Sequence, residues 1–201
     1  VGNISQEGII KQDKFDISRV RLNVEQKISN KIRVGVNSYF SYRSSVPIVD
    51  DNNTYQPYSN AMNAAPNLAP YGADGKPNKN LTSNNPLWAF ERVVTDRYQT
   101  IGSNFYAVYN PIKDLTLKTS ISGNIMSRRY NRFDAPDTRR GEQAGKPWGY
   151  GYYSTNNNRD HLLENTENKK KNFVGGKLNV NLLAGQSFLR WEYEDSYVAG
   201  E

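Results

Sequence analysis

The sequence contains no cysteine and a single histidine, His161, among its 201 residues. Without cysteine there is no disulfide framework, no Cys-ligated zinc or iron–sulfur centre and no thiol nucleophile. One histidine excludes the multi-histidine metal constellations. Apolar residues are also scarce, at 36% of the chain, against roughly 45–50% in ordinary globular domains. No run approaches the ~20 apolar residues of a membrane-crossing helix, which excludes a helical membrane protein. Aromatic residues nevertheless reach 12%, with 14 Tyr, and disordered chains are poor in them. The chain has too little apolar material for a thick core and too many aromatics for a floppy tail.

Charge is equally unspecific. Lys and Arg number 26 against 20 Asp and Glu, a net charge of +6 with a pI of about 9.4. The basic residues are scattered, with clusters only at Arg128-Arg129, Arg139-Arg140 and Lys169-Lys170-Lys171. They read as solvated loop and turn charge, and no nucleic-acid partner is expected. The opening residues Val1-Gly2-Asn3 lack the basic and apolar regions of a signal peptide.

What the sequence does have is alternation. From Val20 to Ile28 the even positions are Val20, Leu22, Val24, Gln26 and Ile28, and the odd ones Arg21, Asn23, Glu25 and Lys27. The pattern resumes after Ser29-Asn30, with Ile32, Val34, Val36, Ser38, Phe40 and Tyr42 on one face. Successive side chains of a strand point to opposite faces, so these two runs predict an antiparallel hairpin. A second hairpin is predicted over Ile101–Tyr109 and Leu115–Ile125, turning at Asn110–Asp114. A further strand is expected over Leu178–Phe188, after a Gly175-Gly176 turn and a blurred segment at Leu162–Phe173 that pairs with it. Ile4–Ile10 reads as the end of one more strand, turning at Lys11–Lys14. None of the apolar-face positions on the five clear strands carries a charge.

Alternation of this kind also suits a soluble β-sandwich, whose apolar face is its core. Connection lengths discriminate better. Short connections (Ser29-Asn30, Asn110–Asp114, Asn172–Lys177) alternate with long ones over Arg43–Arg97 and Ser127–Asp160. Loops beyond ~12–15 residues are uncommon in compact domains. Strands of ~9–11 residues with short turns at one end and long loops at the other are the pattern of an outer-membrane barrel. Phe40, Tyr42 and Phe188 at the long-loop end, and Tyr109 at the other, sit where interfacial aromatic girdles would place them.

The order of several short motifs carries a resemblance. Gln6-Glu7-Gly8-Ile9-Ile10, Arg19-Val20-Arg21-Leu22-Asn23-Val24, Lys27-Ile28-Ser29 and Val34-Gly35-Val36-Asn37 follow one another near the start. Asn85-Pro86-Leu87, Gly102-Ser103-Asn104-Phe105-Tyr106 and Leu115-Thr116-Leu117-Lys118 come next, then Leu178-Asn179-Val180-Asn181-Leu182-Leu183-Ala184-Gly185-Gln186-Ser187. In that order they resemble the barrel region of SusC/RagA-type TonB-dependent outer-membrane transporters. The resemblance implies an all-β fold, an antiparallel transmembrane β-barrel segment of about seven strands from a 22-stranded plugged barrel with long extracellular loops. It implies that residues 1–201 are a partial barrel domain, with the plug domain and signal peptide outside this chain. It further implies outer-membrane import of glycans or oligopeptides, a SusD-like surface lipoprotein, and TonB acting through the plug. Neither enzymatic activity nor a cofactor is implied. The alternative is a soluble or secreted β-rich carbohydrate-binding module.

What ligand chemistry there is lies in the loops. Trp148-Gly149-Tyr150-Gly151-Tyr152-Tyr153 sets four aromatics among glycines, and flat rings stack on sugar faces or clamp peptides at low entropic cost. Trp148, Tyr150, Tyr152, Tyr153 and Trp88 are the candidate ligand contacts. Asn85-Pro86-Leu87-Trp88-Ala89-Phe90 predicts a short helix, Asn85 capping and Pro86 at the first helical position, with Leu87, Phe90 and Val94 sharing a buried face. Asp50-Asp51-Asn52-Asn53 lacks the glycine of a calcium loop, since Tyr55 occupies that place. It reads as a solvated turn, and no metal site is expected. The sequons Asn52-Asn53-Thr54 and Asn80-Leu81-Thr82 carry little weight in a bacterial setting.

Overall fold

The computed structural model describes residues 1–48, 56–79, 85–138, 141–142, 145, 147–173, 175 and 178–200. The acidic turn at Asp50–Asn53, both sequons, and the Arg139-Arg140 pair lie wholly or largely outside these. Seven strands form one antiparallel sheet in chain order: β1 (Gly2–Glu7), β2 (Lys14–Lys27), β3 (Ile32–Val46), β4 (Val93–Tyr109), β5 (Leu115–Asp134), β6 (Tyr150–Phe173) and β7 (Leu178–Gly200). Each strand pairs with the next and no connection crosses the sheet. Among the described residues, no helix is long and apolar enough to cross a membrane.

The expected strands are all present, but most run longer than expected. β2 has 14 residues, β5 has 20 and β6 has 24. At about 3.3 Å per residue, β6 spans roughly 80 Å, where a bilayer takes only ~9–11 residues. The connections shrink accordingly, to 47–92 and 135–149. The extra pairing lies where both faces are polar, as in Asn156–Arg159 facing Glu192–Asp195. Backbone hydrogen bonds hold such a ladder, and no hydrophobic alternation marks it.

Register places the apolar positions in continuous rungs. Val24, Val36, Phe105, Ile121, Leu163 and Phe188 are successive cross-strand neighbours over six strands. Phe105 is 59% exposed and Phe188 66%. Among the described residues, no second sheet covers this outward face. Among the described residues the buried apolar side chains are few: Ile17, Ile48, Trp88, Ala89, Val94 and Val108. The molecule is a single-layered wall.

The charge-free outward face does not extend to β6, whose outward positions include Arg159, Glu167, Lys169 and Lys171. Lys169 and Lys171 lie close to the short turn after Phe173, where long stems can carry an ammonium out to water.

The short turns close by local chemistry. Ser29 Oγ accepts from the Lys31 and Ile32 amides at 3.2 Å each, and Asp114 adopts a positive φ of 66° before β5. The first long connection contains a helix, α1 (Pro57–Asn63), and one turn of 3-10 helix over Pro86–Phe90. Asn85 caps the latter, accepting from the Leu87 amide at 3.0 Å, as Asn-Pro predicts. The buried residues there are Trp88 and Ala89, with Leu87 and Phe90 only half-buried. The tighter helix ends at Phe90 and Val94 belongs to β4, so the expected α-helical stripe does not form. Asn85 is fully buried, and its amide also donates to the carbonyls of Pro70 (2.7 Å) and Asn78 (3.2 Å).

Candidate substrate-facing wall

The face opposite the apolar rungs is mostly polar, although Val94, Val108, Leu162, Leu183 and Leu189 also stand on it. At its short-turn end Tyr106 Oη donates to Glu25 (2.8 Å), and Arg33 pairs with the same carboxylate at 3.5 Å. Midway, Tyr39 Oη donates to Asn124 at 3.0 Å, and the Asn124 amide donates to Asp160 at 3.2 Å. Serines and asparagines fill much of the remainder, including Asn104 donating to Ser122 at 2.6 Å.

Toward the long connections this face becomes a ladder of arginines and tyrosines. Alternation brings Arg43 from β3, Asp96 and Tyr98 from β4, and Arg128, Tyr130, Arg132 and Asp134 from β5 to one side. β6 adds Tyr150 and Tyr152, and β7 adds Tyr197. Arg43 lies 3.7 Å over the Tyr98 ring, with Arg128 5.2 Å from the same ring. Arg128 is also 5.5 Å from Tyr130. Tyr130 meets Tyr152 edge-on at 5.9 Å, and Tyr152 stacks on Tyr197 at 6.3 Å. Arg132 stands 5.6 Å from both Tyr150 and Tyr152.

Two acids hold this ladder in place. Asp96, almost buried, takes two hydrogen bonds of 2.9 Å from Arg128 Nε and Nη2. Asp134, fully buried, pairs with Arg132 Nε at 3.1 Å. Arg43 has no acidic partner among the described residues, and its Nε makes no hydrogen bond there. Planar guanidiniums over phenol rings, with donors left over, can take carboxylate, amide or hydroxyl groups of a solute.

The two long connections meet above this wall. Lys76 Nζ binds Asp137 at 2.9 Å, and Lys79 pairs with Glu142. The Lys76 ammonium, as hydrogen-bond donor and neighbouring charge, holds the Asp137 carboxyl below its ordinary value. Asp137 reciprocally raises Lys76.

The structure divides the expected aromatic cluster. Tyr150 and Tyr152 lie on the polar face within the ladder, whereas Tyr153 points to the outward face and pairs with Val198. Trp148 is 78% exposed in the turn ahead of β6. Trp88 is buried, leaving almost no ring face for a solute. Gly149, at φ 91°, permits the turn: a Cβ there would fall 2.6 Å from the Asp134 carbonyl. Arg43, Tyr98, Arg128, Tyr130, Arg132 and Tyr197 are absent from the sequence-based expectation. Carrying the alternation past Tyr42, back from Ile101, and past Ile125 and Phe188 would have put all of them on one face. Among the described residues no group of three metal-ligating side chains occurs.

No family model matches the chain. Two curated proteins of Formosa agariphila do. It is 26% identical over 202 residues to TonB-dependent receptor P3, covering 96% of this chain and 20% of that protein. It is 26% identical over 191 residues to TonB-dependent receptor P26, covering 92% of this chain and 18% of that one. The chain thus spans about a fifth of the length of these relatives. In fold it is similar to the RagAB peptide importer in its closed-closed state, with TM-score 0.77, 20% identity, and coverage of 97% of this chain and 22% of the solved one. The open-open state gives TM-score 0.76 at the same identity. In sequence the chain is similar to TonB-dependent receptors, and in fold its seven-stranded sheet matches a segment of the RagAB importer.

Proposed function

We propose that this segment forms part of the wall of a TonB-dependent importer for glycans or oligopeptides, working with a SusD-like surface lipoprotein. The apolar rungs face lipid and the polar face lines a plugged lumen. Both long connections are extracellular, and the short turns at 28–31, 110–114 and 174–177 are periplasmic. TonB acts through a plug outside this chain. The work is capture and gated passage, with no bond made or broken; the relatives are named receptors and an importer, not enzymes.

The Arg–Tyr ladder from Arg43 to Tyr197 is the observation that supports this reading. It lies on the face opposite the lipid rungs, at the end where the long connections meet. A substrate entering from that side passes rings and guanidiniums before the serine- and asparagine-rich stretch below. A soluble carbohydrate-binding module would have to cover the six-strand apolar rung, and the exposure of Phe105 and Phe188 argues against it.

The test is uptake by the full-length protein in cells given a glycan or an oligopeptide as sole nutrient. Tyr130→Ala with Tyr152→Ala should raise the half-saturating concentration for one of them, at unchanged protein level in the outer membrane. Unchanged uptake of both would overturn the assignment.

A further inference from the structure

Arg97 and Arg129 are direct cross-strand neighbours on β4 and β5. Arg97 shares its face with Ile101 and Phe105, and Arg129 with Ile125 and Ile121, so both point outward, away from the ladder. Both are exposed. Like charges placed directly opposite destabilise a strand pair, and sequences ordinarily avoid this or insert an acid. None is inserted here: among the described residues, neither arginine takes part in an ion pair. The nearest acid on the rung is Asp16, on the far side of Ser44. On the other face of the same strands, one residue away, Arg128 is gripped by Asp96 through two 2.9 Å hydrogen bonds. The outward pair is built differently.

Its height on the wall is informative. Phe40, Ile101 and Ile125 form the last apolar rung below the pair, Tyr42, Gln99 and Ser127 form the next, and the outward Val93–Phe133 pair stands two rungs above the arginines. The arginines stand one rung above Gln99 and Ser127, four residues beyond Ile101 and Ile125. Four residues are about 13 Å of strand, or roughly 10 Å of height at the ~35–45° tilt of barrel strands. A flexible arginine side chain can reach back toward the boundary. Hydroxyls flank the pair along the rung, with Ser44 beside Arg97 and Thr155 beside Arg129.

We propose that Arg97 and Arg129 clamp the phosphate of a lipid in the outer leaflet. Two guanidinium forks can share one phosphate bidentately. Its negative charge relieves the repulsion between them, and the rungs below (Phe40, Ile101, Ile125, then Phe105 and Ile121) receive the acyl chains. This rests on the orientation proposed above, with the long connections extracellular.

Native mass spectrometry of the full-length protein in detergent tests the clamp, using diphosphoryl lipid A, a phosphate-free glycolipid with the same acyl chains, and inorganic phosphate alone. Wild type should retain lipid A and neither of the others. R97Q/R129Q should lose it by roughly tenfold or more, the scale of charge-assisted hydrogen bonds. R97K/R129K should retain part, and K113A, at the opposite end, should equal wild type. Equal retention by R97Q/R129Q, or equal binding of the phosphate-free lipid, would overturn the clamp, as would binding of free phosphate without lipid. Unchanged heat-modified gel mobility of R97Q/R129Q shows that the barrel is intact. Failure of the orientation is read separately, by biotin labelling of Lys76 on intact cells.

Discussion

The ring of Tyr106 lies across Gly35, its direct cross-strand neighbour, so that a Cβ on Gly35 would run into the ring. Tyr39 covers Gly102 in the same way, four residues along the same two strands and on the same face. Glycine inside a strand ordinarily weakens it. Here it lets a tyrosine lie flat along the polar face and reach a partner on another strand: Glu25 for Tyr106, Asn124 for Tyr39. Each such pair keeps the wall thin and its hydroxyl anchored.

Gly35→Ala should therefore push the Tyr106 ring off the sheet, and costs about 1–3 kcal/mol as other overpacked sites do. In a Tyr106→Ala background the same change should be nearly neutral, because nothing remains to be displaced. Thermal unfolding of the four proteins in detergent checks this; an equal penalty in both backgrounds would show that the ring is not the obstacle.

Asp96 is the fixed point of the Arg–Tyr ladder. Asp96→Ala leaves Arg128 half-buried with its two best hydrogen bonds lost, a cost of about 1–3 kcal/mol. Arg128→Ala strands the Asp96 carboxylate in its turn. The double variant should be less destabilised than the sum of the two, by the coupling expected of groups in direct contact. Additivity in denaturant unfolding would mean that the pair contributes little.

The wall was legible in the sequence where one face is apolar, because there an apolar residue recurs at every second position. Val20–Ile28 and Ile101–Ile125 carried that signal, and their hairpins and turns form as expected. Where β5 to β7 extend beyond the apolar rungs, both faces are largely polar and the pattern fades. Asn156, Asn157 and Asn158 therefore read as loop although they are paired on both sides. The same fading hid the ladder. Arg128-Arg129 reads as a basic dipeptide, whereas one member stacks on Tyr98 and binds Asp96 and the other faces outward. Which aromatics join the ladder is a question of parity within a strand, and Tyr152-Tyr153 becomes informative only once that strand is known.

The contact between Lys76 and Asp137 ties the two long connections together and should respond to pH at both ends of the scale. Asp137 is depressed by Lys76, so its contribution is present above the ordinary carboxylate value and is lost as pH falls through its lowered one. Lys76 is raised by Asp137, so its contribution is present below the ordinary lysine value and is lost as pH rises through its raised one. The tie should hold across the neutral range and open in strong acid or strong alkali. A spin-label distance between positions 74 and 135 in the full-length protein should lengthen only outside that window. A distance insensitive to Lys76→Ala at pH 7 would remove the tie from the account.

Topology makes the orientation directly measurable. Lys76 lies in the first long connection, with a side chain about half exposed, and Lys113 lies in the short turn between β4 and β5, at the opposite end of the sheet. A membrane-impermeant biotin reagent on intact cells should label a variant retaining Lys76 and spare one retaining only Lys113. The reverse pattern would invert the barrel and remove the ladder from the cell surface.

Tyr152 and Tyr153 are adjacent in sequence and opposite in role. Tyr152 points into the ladder, edge-on to Tyr130 and stacked on Tyr197, while Tyr153 points outward beside Val198. Tyr152→Ala removes a ring that joins β5 to β7 and should weaken substrate uptake severalfold, with aromatic contacts of this kind contributing about 0.5–1.5 kcal/mol each. Tyr153→Ala removes a similar area from the other face and should leave the half-saturating concentration for uptake unchanged. Phenylalanine at 152 separates ring from hydroxyl, since stacking survives the loss of the oxygen. Equal loss in the Tyr152 and Tyr153 alanine variants would mean that substrate is not sorted by the face on which a side chain stands.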